Sequence, residues 1–498
     1  MRLVVFGECF NGLIDQCVIS LPYGFERQRK ANMLTVHKGV SSVRIAQLSF
    51  FVFLGCLSTA GYAQNSTEIP LTFGEASRLL DAESELLKAQ KEVLRQSEAE
   101  LGVAYSRRWP ELSIKGREMR MGRSLDIDLD PVRGALMKID PSFPTQDLPK
   151  DIQLQSRRVG VAAAVAELPL YTGGRISAGI DAAKAAVASE HASLTGVRGQ
   201  LELLLVERYF AQVLAKAAVE VKAATLKSFQ DHQAHAESLY REGQIPRTEL
   251  LRSEVAVHES LRELEASQRD LSLAEAALAS LLGQEGGLQP LSPIPNHINV
   301  PNLEPMLFEA NMENPSLRAA RERFAQAEQG VKAARGARLP SLALVGQKEI
   351  YKHNLDLYDP KWAVGVVLDW SVFDGGGHQK RIGSAQARAD EVAHRVASGE
   401  RDISLLVRTR YQQMAKAADQ LKAFHSTRAL ALESLRSQKL AFQEGMATSL
   451  DVIDAQLAYQ RVELGMLASR YEGLVAHAGL LEVTGRSQQI PDLLSGKE

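Results

Sequence analysis

Three places in this 498-residue sequence bring ligand-type residues close enough together to suggest chemistry. The first, Asp126-x-Asp128-x-Asp130, begins like a calcium loop. Such a loop needs glycine at its sixth position and glutamate at its twelfth, where this chain has Pro131 and Met137. At most a loose surface cation site is left. The second is His232 with His235, one helical turn apart. Two ligands are too few for a metal centre, so an exposed helix face is the expected reading. The third is a pair of glycine clusters, Thr172-Gly173-Gly174 and Gly375-Gly376-Gly377-His378. Neither has the Lys-Ser/Thr ending of a phosphate loop or the spacing of a dinucleotide fingerprint. A bend from strand into helix is the simpler account. No His-Glu-x-x-His or Gly-x-Ser-x-Gly motif occurs. The sequence therefore offers no catalytic, cofactor-binding or metal residue, and no enzyme is expected.

The bulk numbers narrow the class. A formal net charge of -2 gives no nucleic-acid footprint. The 45% hydrophobic and 24% charged composition is that of a folded chain. Beyond the N-terminal region no apolar run reaches the ~18 residues of a membrane helix, so any crossing falls to strands. Cys9, Cys17 and Cys56 all lie near the N-terminus. Residues 1–63 read as a leader with an export signal. Lys38 and Arg44 precede the apolar stretch Ile45 to Leu57, and Gly61-Tyr62-Ala63 offers cleavage after Ala63. Residues 1–32 fit no part of such a signal, which makes Met33 an alternative start. Phe53-Leu54-Gly55-Cys56 is the competing lipid-anchor reading, with Phe53 a poor match.

The chain contains one unit twice. Leu170-Tyr171-Thr172-Gly173-Gly174 echoes Val372-Phe373-Asp374-Gly375-Gly376. Tyr240-Arg241-Glu242-Gly243 echoes Phe442-Gln443-Glu444-Gly445, and Leu281-Leu282-Gly283 echoes Val483-Thr484-Gly485. All share one offset, 202 residues (445−243). Trp109-Pro110-Glu111-Leu112-Ser113 echoes Leu339-Pro340-Ser341-Leu342-Ala343 at 230 residues (339−109). The first copy therefore holds 28 extra residues (230−202), expected as a long exposed loop within Gly122 to Gln155. The expected division is 64–289 for the first repeat, with strand pair 109–172 and long helices 175–283. A linker, 290–305, leads to the second repeat, 306–485, with strand pair 340–374 and long helices 377–485. Residues 486–498 are expected as a short mobile tail. A helix from Arg175 to Tyr240 would be about 100 Å long. Leu250, Val257, Leu264, Leu271 and Leu278 then recur every seventh residue, which asks for a coiled-coil partner.

Between the helices the period changes to two. Trp362, Val364, Val366, Leu368, Trp370 and Val372 alternate with small or polar residues such as Ala363, Gly365 and Asp369. The first copy keeps the parity with Ala162, Ala164, Ala166, Leu168 and Leu170. Trp109, Trp362 and Trp370 lie in or beside these strands, as in the aromatic girdle of a membrane barrel. Four strands cannot close a barrel, which takes ~8 at least, so a barrel would have to be shared between chains.

With those motifs the chain resembles the TolC family of outer-membrane efflux and secretion channels. The carriers are Tyr171-Thr172-Gly173-Gly174-Arg175, Phe373-Asp374-Gly375-Gly376, the Gly243 turn, and Phe442 through Ala455. The resemblance implies a mainly α fold with a transmembrane β part: a coiled-coil α-barrel plus a β-barrel of twelve strands shared in a homotrimer. It implies a passive conduit without cofactor, in a tripartite efflux pump or type I secretion system. The partners would be a periplasmic adaptor, an inner-membrane pump and outer-membrane lipid. The turns at Gly243 and Gly445 would form the periplasmic tip that meets the adaptor. The periplasmic gate would fall at Asp451 and Asp454, with Phe442 at an aromatic position whose hydroxyl is missing here. The family's gate arginine falls at Ala447, and Arg247 is the candidate substitute. A plain alternative is that both aspartates only suit a helix start. The competing function is a soluble periplasmic coiled-coil scaffold or adaptor.

Overall fold

The computed structural model describes residues 69–495 except 143, 285 and 354–360, all within one compact unit, 65–498. The expected leader, its cleavage site, Met33 and Cys56 lie outside the described residues, as do the last three residues. Strand β1 (Ile69–Leu71) leads into α1 (Phe73–Glu83) and α2 (Glu85–Ser106). Then come β2 (Glu111–Arg120), β3 (Leu125–Asp128), α3 (Asp130–Ile139), β4 (Asp151–Gln155) and β5 (Arg158–Tyr171). Two long helices follow, α4 (Arg175–Arg241) and α5 (Arg247–Leu282), and then β6 (Leu288–Pro290). The second half runs α6 (Leu303–Glu313), α7 (Pro315–Gly336), β7 (Ser341–His353), β8 (Trp362–Asp369), α8 (Gly377–Gln443), α9 (Ser449–Val483) and α10 (Ile490–Ser495).

The duplication is carried through in three dimensions. Helices α4 and α8 have 67 residues each and start 202 apart (377−175). Helices α1 and α6 both have 11 residues, α2 and α7 both 22, at the other offset of 230 (303−73). Even the caps repeat. Ser84 and Asn314 each accept the N–H three residues on, from Leu87 and Leu317, and so start α2 and α7.

Helices of ~100 Å need lateral packing along their length. Along α5, Leu250, Val257, Leu264 and Leu271 are half-buried and Leu278 is buried. Ser253, Ser260 and Ser267, each three residues further on, are buried as well. The seam thus alternates large apolar residues with serine, and the small members let α5 approach α4 closely. The densest core lies where the repeats meet. Phe73, Tyr209 and Phe210 pack with centroids 5.0–5.8 Å apart. The Tyr209 hydroxyl donates to Leu71 O (2.7 Å) and accepts from Leu291 N and Ser292 N. That one phenol ties the parallel β1–β6 pair to α4.

Four expectations change. The segment after Arg486 is no mobile tail as far as it is described. Ser487 and Ile490 are buried, and Leu494 packs against the same cluster as Phe73. One short helical turn puts Ile490 and Leu494 against the same cluster. The linker is not a free connection either. Ile298 fits a notch on α9 at Gly473, where a β-carbon would fall 2.2 Å from Ile298 Cδ1. The 122–155 insertion holds an antiparallel β3–β4 pair with α3 between. Its acidic triplet serves a helix start: Asp128 Oδ1 accepts from Asp130 N at 2.8 Å, and Pro131 sits in the first turn of α3. The second strand of the second pair ends at Asp369, so Trp370 and Val372 lie beyond it.

Candidate functional site

A single four-stranded antiparallel sheet has the order β2-β5-β7-β8. Its outer strands, β2 and β8, each have one edge with no partner among the described residues. Register decides what the two faces carry, because residues paired across neighbouring strands share a face. One row reads Leu112, Ala166, Gly346, Val364, and the next Leu168, Leu344, Val366. The other face reads Ser113, Val165, Gln347, Ala363, with Glu111 beside Glu167 and Lys115 near Glu349 through Ala163. The apolar face is open: Leu112 is 75% exposed, Ile114 74%, Val364 65% and Val366 62%. A sheet that leaves this much apolar surface uncovered fits a lipid-facing wall with a wet opposite side.

The strand–helix junctions set where that wall begins. Gly174 and Gly376 stand directly before α4 and α8 with φ of 81° and 86°, and Gly173 and Gly375 are left-handed too. At Gly173 the chain also passes against the backbone at Gly336, too close for any side chain. Trp109, Trp362 and Trp370 are 73%, 70% and 55% exposed, at or near the sheet ends. The Trp370 indole N–H donates to Arg338 O at 3.1 Å, which fixes that ring at the boundary.

At the far end the helix hairpins turn through Gly243 and Gly445, with φ of 73° and 71°. Phe442 is buried there with Ala236 and Val452, its ring 4.5 Å from that of His232. It is core of the tip. Asp451 and Asp454 are both exposed, one turn apart on α9. Asp451 closes a capping box: its carboxylate accepts from Thr448 N and Thr448 Oγ1 at 2.8 and 2.7 Å. Those bonds hold its carboxyl below the usual range. Arg247 is exposed, and no ion pair joins it to either aspartate among the described residues.

The outer membrane efflux protein family model matches residues 76–284 and 307–486. The chain belongs to the outer membrane efflux protein family. It is therefore an outer-membrane channel protein of efflux or secretion. The chain is 24% identical to the cobalt-zinc-cadmium resistance protein CzcC of Cupriavidus metallidurans, over 69% of itself and 82% of that protein. It is also 24% identical to the alkaline protease secretion protein AprF of Pseudomonas aeruginosa, over 57% of itself and 61% of AprF. Its fold superposes on the open state of the Neisseria gonorrhoeae MtrE outer membrane channel with a TM-score of 0.67. That match covers 84% of this chain and 90% of MtrE at 16% identity.

In this efflux protein the repeats are joined at the tip by residues that motif reading missed. The Ser449 N–H donates to Glu249 Oε2 at 2.8 Å, and the Ser449 hydroxyl to Glu249 O at 3.2 Å. Glu249 is the repeat counterpart of Asp451 (451−249 = 202). Pro246 stands at the N-cap where the second repeat has Thr448, so Glu249 has no N-cap hydroxyl to bond and reaches across. Arg252, not Arg247, holds it, at 2.7 Å. Further along, Lys439 donates to Ser228 and Ser228 to Gln456, both at 2.6 Å, which links α8, α4 and α9.

Buried His232 should make this end of the efflux protein pH-sensitive. It is 6% exposed, and its Nε2 has no partner among the described residues. Burial, with the charges of His235 and Lys439 beside it, lowers its pKa from 6.5 to about 4, against a smaller pull from Glu249. The neutral ring therefore contributes its full stability above pH 6.5, and that is lost as pH falls toward 4. The whole effect is on the order of 3 kcal/mol. Urea unfolding at pH 7.5 and 4.5 should show a drop that is much smaller in His232→Gln. Equal drops in both proteins would clear His232 of any part in it.

Proposed function

We propose that three copies of this chain close one twelve-stranded barrel in the outer membrane and that their long helices form a hollow tube through the periplasm. The observation that carries this reading is the open sheet. One face is apolar and exposed, and two strand edges have no partner among the described residues, which lipid does not tolerate unless further copies close the barrel. The same exposed face disfavours a soluble scaffold. A groove of about 440 Å³ between α4, α5 and α9, lined by Phe229, Leu251, Val255, Leu450, Ile453 and Leu457, supports close packing of neighbouring copies at the tip.

On this reading the chain is a passive conduit. An adaptor docks near the Gly243 and Gly445 turns, and a separate inner-membrane pump supplies the energy. CzcC is named for metal resistance and AprF for protease secretion, so both cargo classes pass through conduits of this kind. Export rests on the signal ending at Ala63. N-terminal sequencing of the mature protein should read Gln64 first, and a blocked N-terminus at Cys56 would mean a lipid anchor instead.

The exposed Asp451 and Asp454 would put six carboxylates around the axis of a trimer. In planar bilayers the purified protein should give small, cation-selective steps. Asp451→Asn with Asp454→Asn should bring the cation preference close to one. Unchanged selectivity in the double variant would remove the gate from these residues. Absence of any conductance from well-folded, membrane-inserted protein would count against the open conduit.

A further inference from the structure

Six cations stand where the helices meet the sheet: Arg107 and Arg108 after α2, Arg175 opening α4, Arg335 and Arg338 ending α7, and Lys380 in the first turn of α8. All six are exposed. On the long helices some exposed arginines pair with an acid one turn away, as Arg241 does with Glu237, Arg269 with Glu265 and Arg395 with Glu391, while others, such as Arg388, Arg401 and Arg436, make no ion pair among the described residues. None of the six makes an ion pair among the described residues. The contacts they do make are neutral. Arg108 lies 6.0 Å over the Tyr105 ring, Arg175 donates to Thr172 O, and Arg335 donates to Gln386. Of the acids at the same level, Asp374 is held by Arg381 at 2.6 Å and Asp181 by Lys184 at 3.1 Å, while Glu111, Glu167 and Asp369 make no ion pair among the described residues but lie on the face of the sheet opposite the apolar one.

Three of the six are also drawn together. The backbone contact of Gly173 with Gly336 sets the start of α4 against the end of α7, so Arg175 lies beside Arg335 and Arg338. Trp109 follows Arg108, and the Trp370 indole is bonded to the Arg338 carbonyl. An excess of positive charge, six cations against three free acids, thus borders exposed indole rings at the edge of the apolar sheet face. That order, apolar band, aromatic ring, cation, matches the order of acyl chain, interface and phosphate in a lipid leaflet.

We propose that this belt binds the headgroups of anionic phospholipids in the leaflet on the helix side and so fixes the depth of the sheet in the membrane. The proposal rests on the membrane reading given above.

The test titrates delipidated full-length protein in neutral detergent with phosphatidylglycerol and with phosphatidylcholine, reading tryptophan emission. A cation near an anionic surface contributes about fivefold in affinity. Phosphatidylglycerol should therefore bind at least about tenfold more tightly than phosphatidylcholine at low salt, and salt should erode the difference. The variant R107Q/R108Q/R335Q/R338Q should show almost no preference. Equal affinity for the two lipids, a preference that survives in the variant, or competition by free inorganic phosphate would each overturn the belt. Should the variant not fold, the salt series on the unaltered protein decides. Conductance in pure phosphatidylcholine bilayers separates the two claims. Channel steps there without any headgroup preference leave the conduit standing and remove the belt, whereas failure to insert in either lipid removes both.

Discussion

Val366→Arg should abolish assembly of the protein in the outer membrane, while Val367→Arg, one residue on, should be tolerated. Val366 is 62% exposed on the apolar face, paired with Leu344, whereas Val367 pairs with Ala343 on the opposite face. Arginine at the middle of a bilayer costs a barrel strand about 2–4 kcal/mol. Three copies in one barrel would multiply that to roughly 6–12 kcal/mol, comparable to the whole usual stability margin. On the wet side the same side chain stays hydrated. The measurement is the yield of detergent-resistant oligomer in the outer-membrane fraction. Equal yields for both variants would mean that the sheet does not separate lipid from water, and the barrel reading would fall.

The second large effect is expected at Gly173→Ala. A β-carbon there would lie 2.3 Å from Gly336 O and 2.9 Å from Leu339 Cβ, in a left-handed conformation with φ of 64°. Backbone cannot yield as a flexible side chain does. The left-handed penalty of about 1–2 kcal/mol adds to overpacking of about 1–3 kcal/mol. The repeat supplies its own control. Gly375 has nearly the same φ, 68°, but nothing within 4 Å of the added carbon. Gly375→Ala should therefore cost the conformational part alone, about 1–2 kcal/mol. Denaturant midpoints of the two variants check this, and matching losses would show that the Gly173–Gly336 contact is not rigid.

These two expectations draw on different levels of information. The alternation through Val364, Val366 and Leu368 is visible in the sequence, because a strand exposes its face pattern at period two. The contact behind Gly173 is not visible, because Gly336 lies 163 residues further on (336−173) and no local pattern joins them. The tip follows the same division. Gly243 and Gly445 announce their turns, since a left-handed helix ending calls for glycine. The repeat offset even pairs Glu249 with Asp451, yet only packing shows that one carboxylate crosses to Ser449 while the other caps its own helix. Phe442 was legible as an aromatic at the tip, but its burial against His232 depends on α4 and α8 lying side by side.

By itself, then, the sequence determined the duplicated plan, the long helices, the period-two strands and the family, because each is written in local spacing or in repetition. Tertiary structure alone decided that the four period-two strands form one sheet whose outer edges have no partner among the described residues. It also decided that residues 486–495 dock on the core, and that the cations at the helix ends gather around the sheet boundary. Those outcomes depend on which distant surfaces meet, and packing settles that only when the chain is folded.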